Sequence, residues 1–150
     1  MSRTPHLFWA VYGVIVNDKQ EILLLKRQNT GYYDGGYCFP AWHIEDGEFA
    51  SQALAHELLE EIGIKIDTTQ LKPFHMTHRI ASDRQYIDIA YKITEREGEI
   101  TNNEPEKCEK IERFSRDNIP EYIAGETKKF INAYFSGEVF SEIRTITPEQ

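Results

Sequence analysis

The sequence predicts one mixed α/β (α+β) domain, on three observations. An apolar run from Leu7 to Val16, rich in Val, Ile and aromatic residues, reads as a central strand. Between about Phe49 and Ile62 the apolar period becomes helical, with Leu54, Leu58 and Ile62 at four-residue steps and Gly63 placed to end the helix. A chain of 150 residues with 40% hydrophobic side chains buries one sizeable core and leaves no room for a second, so residues 1–150 are expected to form a single domain.

The elements follow in order. Asn17 to Gln20 is a polar break, read as a hairpin turn into a second strand over Glu21 to Arg27. Asn29 to Gly36 is glycine-rich and aromatic, as an ordered surface loop is, and Phe39-Pro40 leaves it in an extended conformation. Beyond the helix, strands are expected within Ile64 to Ile80, at Arg84 to Thr94 and around Glu109 to Phe114, separated by polar segments such as Glu95-Arg96-Glu97-Gly98. A second amphipathic helix is expected over Glu121 to Phe135, with Tyr122, Ile123, Phe130, Ile131 and Tyr134 inward and Lys128 and Lys129 in water. The tail after about Ile143 is expected to fray.

Charge and cysteine content exclude several classes. With 25 acidic and 17 basic residues the chain carries a net charge of −8, which opposes a nucleic-acid polymer as partner and means that any phosphate ligand needs a cation beside it. The run Leu7–Val16 is too short to span a membrane, and Asn17-Asp18-Lys19-Gln20 stands where a signal peptide would carry small residues. Two cysteines, Cys38 and Cys108, do not make a disulfide framework; a reducing, cytoplasmic setting is expected. Histidines at 43, 56, 75 and 78 do not combine with them at zinc spacing, and no Gly-x-Ser-x-Gly elbow occurs.

The chemistry concentrates on the first helix. Glu57, Glu60 and Glu61 stand at i, i+3 and i+4, so they project from one side, roughly opposite the Leu54/Leu58/Ile62 stripe. Three crowded carboxylates repel one another unless a cation intervenes, and oxygen-only ligands suit Mg²⁺ or Mn²⁺. Glu45-Asp46-Gly47-Glu48 leads into the helix and places Glu48 near its start.

From Trp42 to Ile64 the chain resembles the signature of the Nudix (MutT-like) hydrolases: Gly, five residues, Glu, seven residues, Arg-Glu, a hydrophobe, any residue, Glu-Glu, any residue, Gly, a hydrophobe. Glu48, Glu57, Leu58, Glu60, Glu61, Gly63 and Ile64 fit, whereas Trp42 stands for the first glycine and His56 for the arginine. Leu23 to Arg27, Phe39-Pro40-Ala41 and Phe114 to Pro120 resemble further family segments. Glu104-Pro105-Glu106-Lys107-Cys108 is similar to a segment of the subgroup that hydrolyses nucleoside triphosphates.

The resemblance implies an α/β/α sandwich with a mixed central sheet. It also implies Mg²⁺- or Mn²⁺-dependent hydrolysis of a nucleoside diphosphate linked to another group, a (deoxy)nucleoside triphosphate first and a nucleotide sugar or dinucleotide second. A homodimer is compatible with it, and a degenerate nucleotide-binding module is the reading from another class. It places the metal on Glu57, Glu60 and Glu61, with Glu48 and Glu104 as further ligands, and takes the water proton to Glu57 first and to Glu104 or Glu106 second. Arg27, Phe39 and Trp42 are the expected substrate contacts. His56 either orients Glu60, four residues on, or is plain helix surface. Trp42 either obstructs a corner that needs a glycine's positive φ or lines the cleft and stacks on a base.

Overall fold

The computed structural model describes residues 7–82, 84–94 and 100–145. Eight strands form one mixed sheet between two helices. The strands are β1 (Leu7–Val16), β2 (Ile22–Arg27), β3 (Tyr37–Cys38), β4 (Ala41–His43), β5 (Lys72–Ile80), β6 (Gln85–Thr94), β7 (Cys108–Phe114) and β8 (Phe140–Arg144). The helices are α1 (Ala50–Ile62) and α2 (Gly125–Ser136).

β1 is apolar throughout because both of its faces are covered. Val11 and Ile15 pack against Leu54, Leu58 and Ile62 of α1, while Ala10, Tyr12, Val14 and Val16 face Phe130 and Ile131 of α2. The main path is β3-β2-β1-β6-β5-β8, with β4 beside β1 and β7 beside β2. β1 runs parallel to β6 along its whole length but meets β2 only at Val16↔Ile22. The short strand β4 instead takes Ala10 to Tyr12 of β1 as its partners. The two halves of the sheet therefore part on the Leu7 side of Val16, and residues of both halves, Ala10 and Tyr12 with Arg27 and Cys38, line one cavity.

Helix α1 begins at Phe49, whose N–H donates to the Gln52 side chain at 3.1 Å, and ends at Gly63, φ 74°, whose N–H donates to the Leu59 carbonyl. Gly63 is required twice over, since a Cβ there would meet Thr101 Oγ1 at 2.6 Å besides needing a left-handed backbone. Behind this cap, Thr101 N–H donates to the Ile62 carbonyl and Asn103 N–H to the Glu61 carbonyl, which fastens residues 101–103 to the end of the helix.

One expectation needs correction, and three short strands were not foreseen. The second helix begins at Gly125 rather than Glu121, because Tyr37 exchanges backbone hydrogen bonds with Tyr122 and Ala124 and holds Ile123 in an isolated bridge. Tyr122 is accordingly exposed. Strand β8, which no sequence pattern signalled, adds to the sheet parallel to β5, secured by His75 between the Glu138 carbonyl (2.6 Å) and Ser141 Oγ (2.7 Å). Strands β3 and β4, of two and three residues, were too short to register as period-two patterns. The polar separator Glu95-Arg96-Glu97-Gly98 and the last five residues lie outside the described residues.

Candidate active site

The three acids of α1 divide into an inward pair and a single one at the rim. Glu57 is 2% exposed and stacks with Glu61 one turn on, under the loops. Glu60 lies in solvent at the rim, where His56 Nε2 stands 2.8 Å from its Oε1. The expectation that all three project together is therefore too coarse: 57/61 and 56/60 are neighbouring i,i+4 rows, and only the first faces inward. Glu104 completes the inner row. Its backbone sits in an Asx turn made by Asn102, and its carbonyl accepts from Lys107 N–H and Cys108 N–H. The capping of α1 by residues 101–103 thus delivers a distant acid to the helix.

Carboxylate oxygens of Glu57, Glu61 and Glu104 all lie within 4.8 Å of one another. Burial pushes Glu61 up to about 10, and its hydrogen bond with Glu57 and the charges of Glu57 and Glu104 add to the rise. Burial raises Glu57 also, against that same hydrogen bond, with Glu104 and Glu60 adding to it. Glu57 Oε2 and Glu61 Oε2 are buried with no hydrogen-bond partner among the described residues. An all-oxygen donor set with unsatisfied buried oxygens fits a hard divalent cation.

Of the other expected residues, Arg27, Phe39 and Trp42 line the same acidic cavity of about 230 Å³, whose lining Cys108 and Lys107 join. Arg27 is fixed before any ligand arrives: its guanidinium donates to the Tyr32 carbonyl, to Thr30 Oγ1 at 3.1 Å and to Cys38 Sγ at 3.4 Å. Asp34 in turn accepts from Thr30 and Gly31, which locks the glycine-rich loop around that arginine. Trp42 sits within β4 opposite Val11 and does not take a positive φ, so nothing in the backbone there calls for a glycine. Glu48 is not brought to the cluster; its Oε1 accepts from Glu45 N–H at 2.8 Å and closes the turn at Gly47. Glu106 is exposed and also stands outside. Burial pushes the Cys38 thiol up to about 11 and raises Cys108, which leaves both as neutral thiols.

A second cavity, about 580 Å³, adjoins the first and shares Arg27, Cys38, Phe39, Ala41 and Trp42 with it. Its far side is made by His43, Arg79, Tyr86 and Glu126. Sequence reasoning missed these four. Arg79 and Asp88 did leave a trace, as charged residues inside apolar strands, where Arg79 Nε donates to Asp88 Oδ2 at 2.7 Å and its guanidinium stacks 3.8 Å from the Tyr86 ring centre. Glu126 left none, since acids are ordinary in the first turn of a helix. No helix among the described residues is long and apolar enough to cross a membrane.

Comparison with known proteins adds four findings. The NUDIX domain family matches residues 6–134. The chain is 33% identical over 89 residues to an 8-oxo-dGTP diphosphatase of Proteus vulgaris, covering 59% of this chain and 78% of that one. It is 28% identical over 125 residues to an ADP-ribose pyrophosphatase of Methanocaldococcus jannaschii, covering 83% and 71%. Among solved structures, a MutT NUDIX hydrolase from Burkholderia pseudomallei shares the fold at a TM-score of 0.76 and 22% identity, over 85% of this chain and 97% of that one.

Proposed function

The chain belongs to the Nudix family of hydrolases, and from that membership we propose that it cleaves a nucleoside diphosphate linked to a further moiety, with a (deoxy)nucleoside triphosphate, released as monophosphate and pyrophosphate, as preferred substrate. One observation carries this reading. The acidic and the aromatic cavity meet at Arg27, Phe39 and Trp42, so one elongated molecule can lay its phosphates over the glutamates and its base among the rings.

Glu57, Glu61 and Glu104 would hold Mg²⁺ or Mn²⁺, since they offer oxygen alone and keep buried oxygens unpartnered. When bound, the ion would offset phosphate charge that a chain of net −8 repels and would make hydroxide accessible near neutrality. The chain's own residues do the rest. Glu57 is assigned the proton of the attacking water first and Glu104 second, both being carboxylates of the cluster. Arg27, held rigid by its loop, and Lys107 face the phosphates across the acidic cavity. Glu60, oriented by His56, adds its charge at the rim, and Glu48 supports the loop that carries the chain into α1.

The relative named as an ADP-ribose pyrophosphatase makes a nucleoside-diphosphate sugar the second reading. The two free thiols suit a cytoplasmic setting. Turnover of nucleoside triphosphates, read as phosphate released with or without added pyrophosphatase, is compared with turnover of nucleotide sugars and dinucleotides, read as phosphate that alkaline phosphatase frees from their monophosphate products, each with Mg²⁺ or Mn²⁺. Phosphate that appears only with pyrophosphatase, and chiefly from triphosphates, supports it. Equal turnover of nucleotide sugars, or no release from any substrate, rejects it.

A further inference from the structure

The ladder between β2 and β7 stops short of the acid cluster. Its register slips between Lys26, which faces Lys110, and Arg27, which faces Cys108, and the pairing ends there, four residues from Glu104. The chain just past Arg27 holds the remaining segment. Gln28 N–H donates to the Lys107 carbonyl at 2.9 Å, the Gln28 side-chain amide to the Pro105 carbonyl at 2.6 Å, and the Asn29 side-chain amide to the Glu106 carbonyl at 3.0 Å. The Glu104 carbonyl is taken up from within, by Lys107 N–H and Cys108 N–H. Each of the four carbonyls from 104 to 107 thus has a donor, three of them supplied by Gln28 and Asn29. The two side-chain bonds join residues 77 positions apart, so they shape no local turn; they fix one loop against another.

The loops so joined meet at the acidic cavity. One begins at Arg27, which lines that cavity and is held by Thr30 and Cys38; the other carries Glu104, whose carboxylate lies within 4.8 Å of oxygens of Glu57 and Glu61. Charge repulsion drives a carboxylate on an unsupported loop away from two others, whereas a divalent cation needs all three together. Support must therefore come from the fold. The cap of α1 acts on residues 101–103, on one side of Glu104, and Gln28 and Asn29 act on the other.

Resting on the metal-dependent reading above, we infer that Gln28 and Asn29 are positioning residues: through the carbonyls of residues 105–107 they keep Glu104 beside Glu57 and Glu61 and so complete the cation site before any ligand binds. Neither side chain lines the acidic cavity, so their action on the cation is indirect. Because they follow Arg27 in the chain, one short stretch sets both the guanidinium and the acid.

Calorimetric titration of Mn²⁺ alone, without nucleotide, tests this in wild type and in Gln28→Met with Asn29→Gly, each with Glu104 intact and as Glu104→Gln. Methionine keeps the length of glutamine without a donor, and glycine keeps the left-handed backbone that Asn29 adopts at φ 56°, so the pair removes two amide donors and little else. With Glu104 intact the two substitutions should weaken Mn²⁺ binding about tenfold, the lower end of what losing a ligand's supporting contacts costs. In Glu104→Gln, which itself weakens binding, they should cost nothing more, because no carboxylate is left to position. Asn29→Gly alone, at an exposed position, should show the same pattern at smaller size. An equal loss in both backgrounds would make the contact a general support of the fold and overturn the inference. So would substitutions that leave Mn²⁺ affinity unchanged while Glu104→Gln lowers it. A wild type that binds no Mn²⁺, or a Glu104→Gln that binds it as wild type does, would refute the metal reading itself and this inference with it.

Discussion

At neutral pH the metal-free protein keeps a proton on Glu61, because burial pushes that carboxyl from 4.5 up to about 10. The folded state thus binds a proton that the unfolded chain has released, so stability falls as pH rises from about 4.5 towards about 10. Thermal unfolding in EDTA should show this decline. Glu61→Gln, with no proton to lose, should flatten it, raise apo stability near pH 7 by at least about 1 kcal/mol, and abolish turnover. Retained turnover with saturating Mg²⁺ would remove Glu61 from the site. Trp42 poses the second question at this scale. Since it lies within β4 and takes no positive φ, Trp42→Gly relieves no strain and removes a ring at the junction of the two cavities. Nucleotide affinity should drop by roughly 1–3 kcal/mol, the range for base–aromatic stacking, without a gain in kcat. A higher kcat at unchanged affinity would show that the indole obstructs the site.

Helix α1 joins fold to site, and its end is the sensitive point. Gly63→Ala forces a left-handed alanine against Thr101, and should cost at least about 1–2 kcal/mol in urea unfolding. It should also lower activity, because Thr101 and Asn103 hang on the last turn and carry Glu104 into place; full activity in the folded variant would dissociate cap from site. How much of this was legible follows the same line. The helix, its glycine stop and the long strands could be read because their apolar periods repeat over many residues. Glu57 and Glu61 could be read as neighbours because one helix sets their spacing. What could not be read is which row of acids turns inward, since Glu57 and Glu60 look alike until the loop over residues 101–104 covers one of them. β8 and the true start of α2 depend on partners far along the chain, Met76 to Ile80 for one and Tyr37 for the other, and local pattern carries no trace of those. The larger cavity is assembled from β1, β4, β5, β6 and α2, so its polar members acquire meaning only when the sheet is closed.

For the molecule as a whole, the splayed sheet needs something to keep its open side in shape, and the Arg79–Asp88 pair lies where that is done. Asp88 on β6 is fully buried, Arg79 on β5 is 5% exposed, and Tyr12 on β1 accepts the remaining hydrogen bond at 3.3 Å, so three strands share one polar contact beneath the cavity. Although burial alone would lower it, the Asp88 hydrogen bond holds the Arg79 guanidinium above its ordinary value. Removing one partner leaves a buried charge uncompensated, and Asp88→Leu should therefore cost about 3–5 kcal/mol in thermal or urea unfolding. The double variant Arg79→Met with Asp88→Leu takes both charges away and replaces them with apolar volume, which in buried pairs restores stability or improves on it. It should recover most of that loss. If the pair exists to hold the strands, the recovered protein should bind nucleotide as well as wild type does. If it exists to present a guanidinium to the cavity, stability returns while nucleotide binding does not, and that second outcome is the one expected here, because a hydrophobic pair of similar size would serve the strands equally well and would present no cation to the cavity.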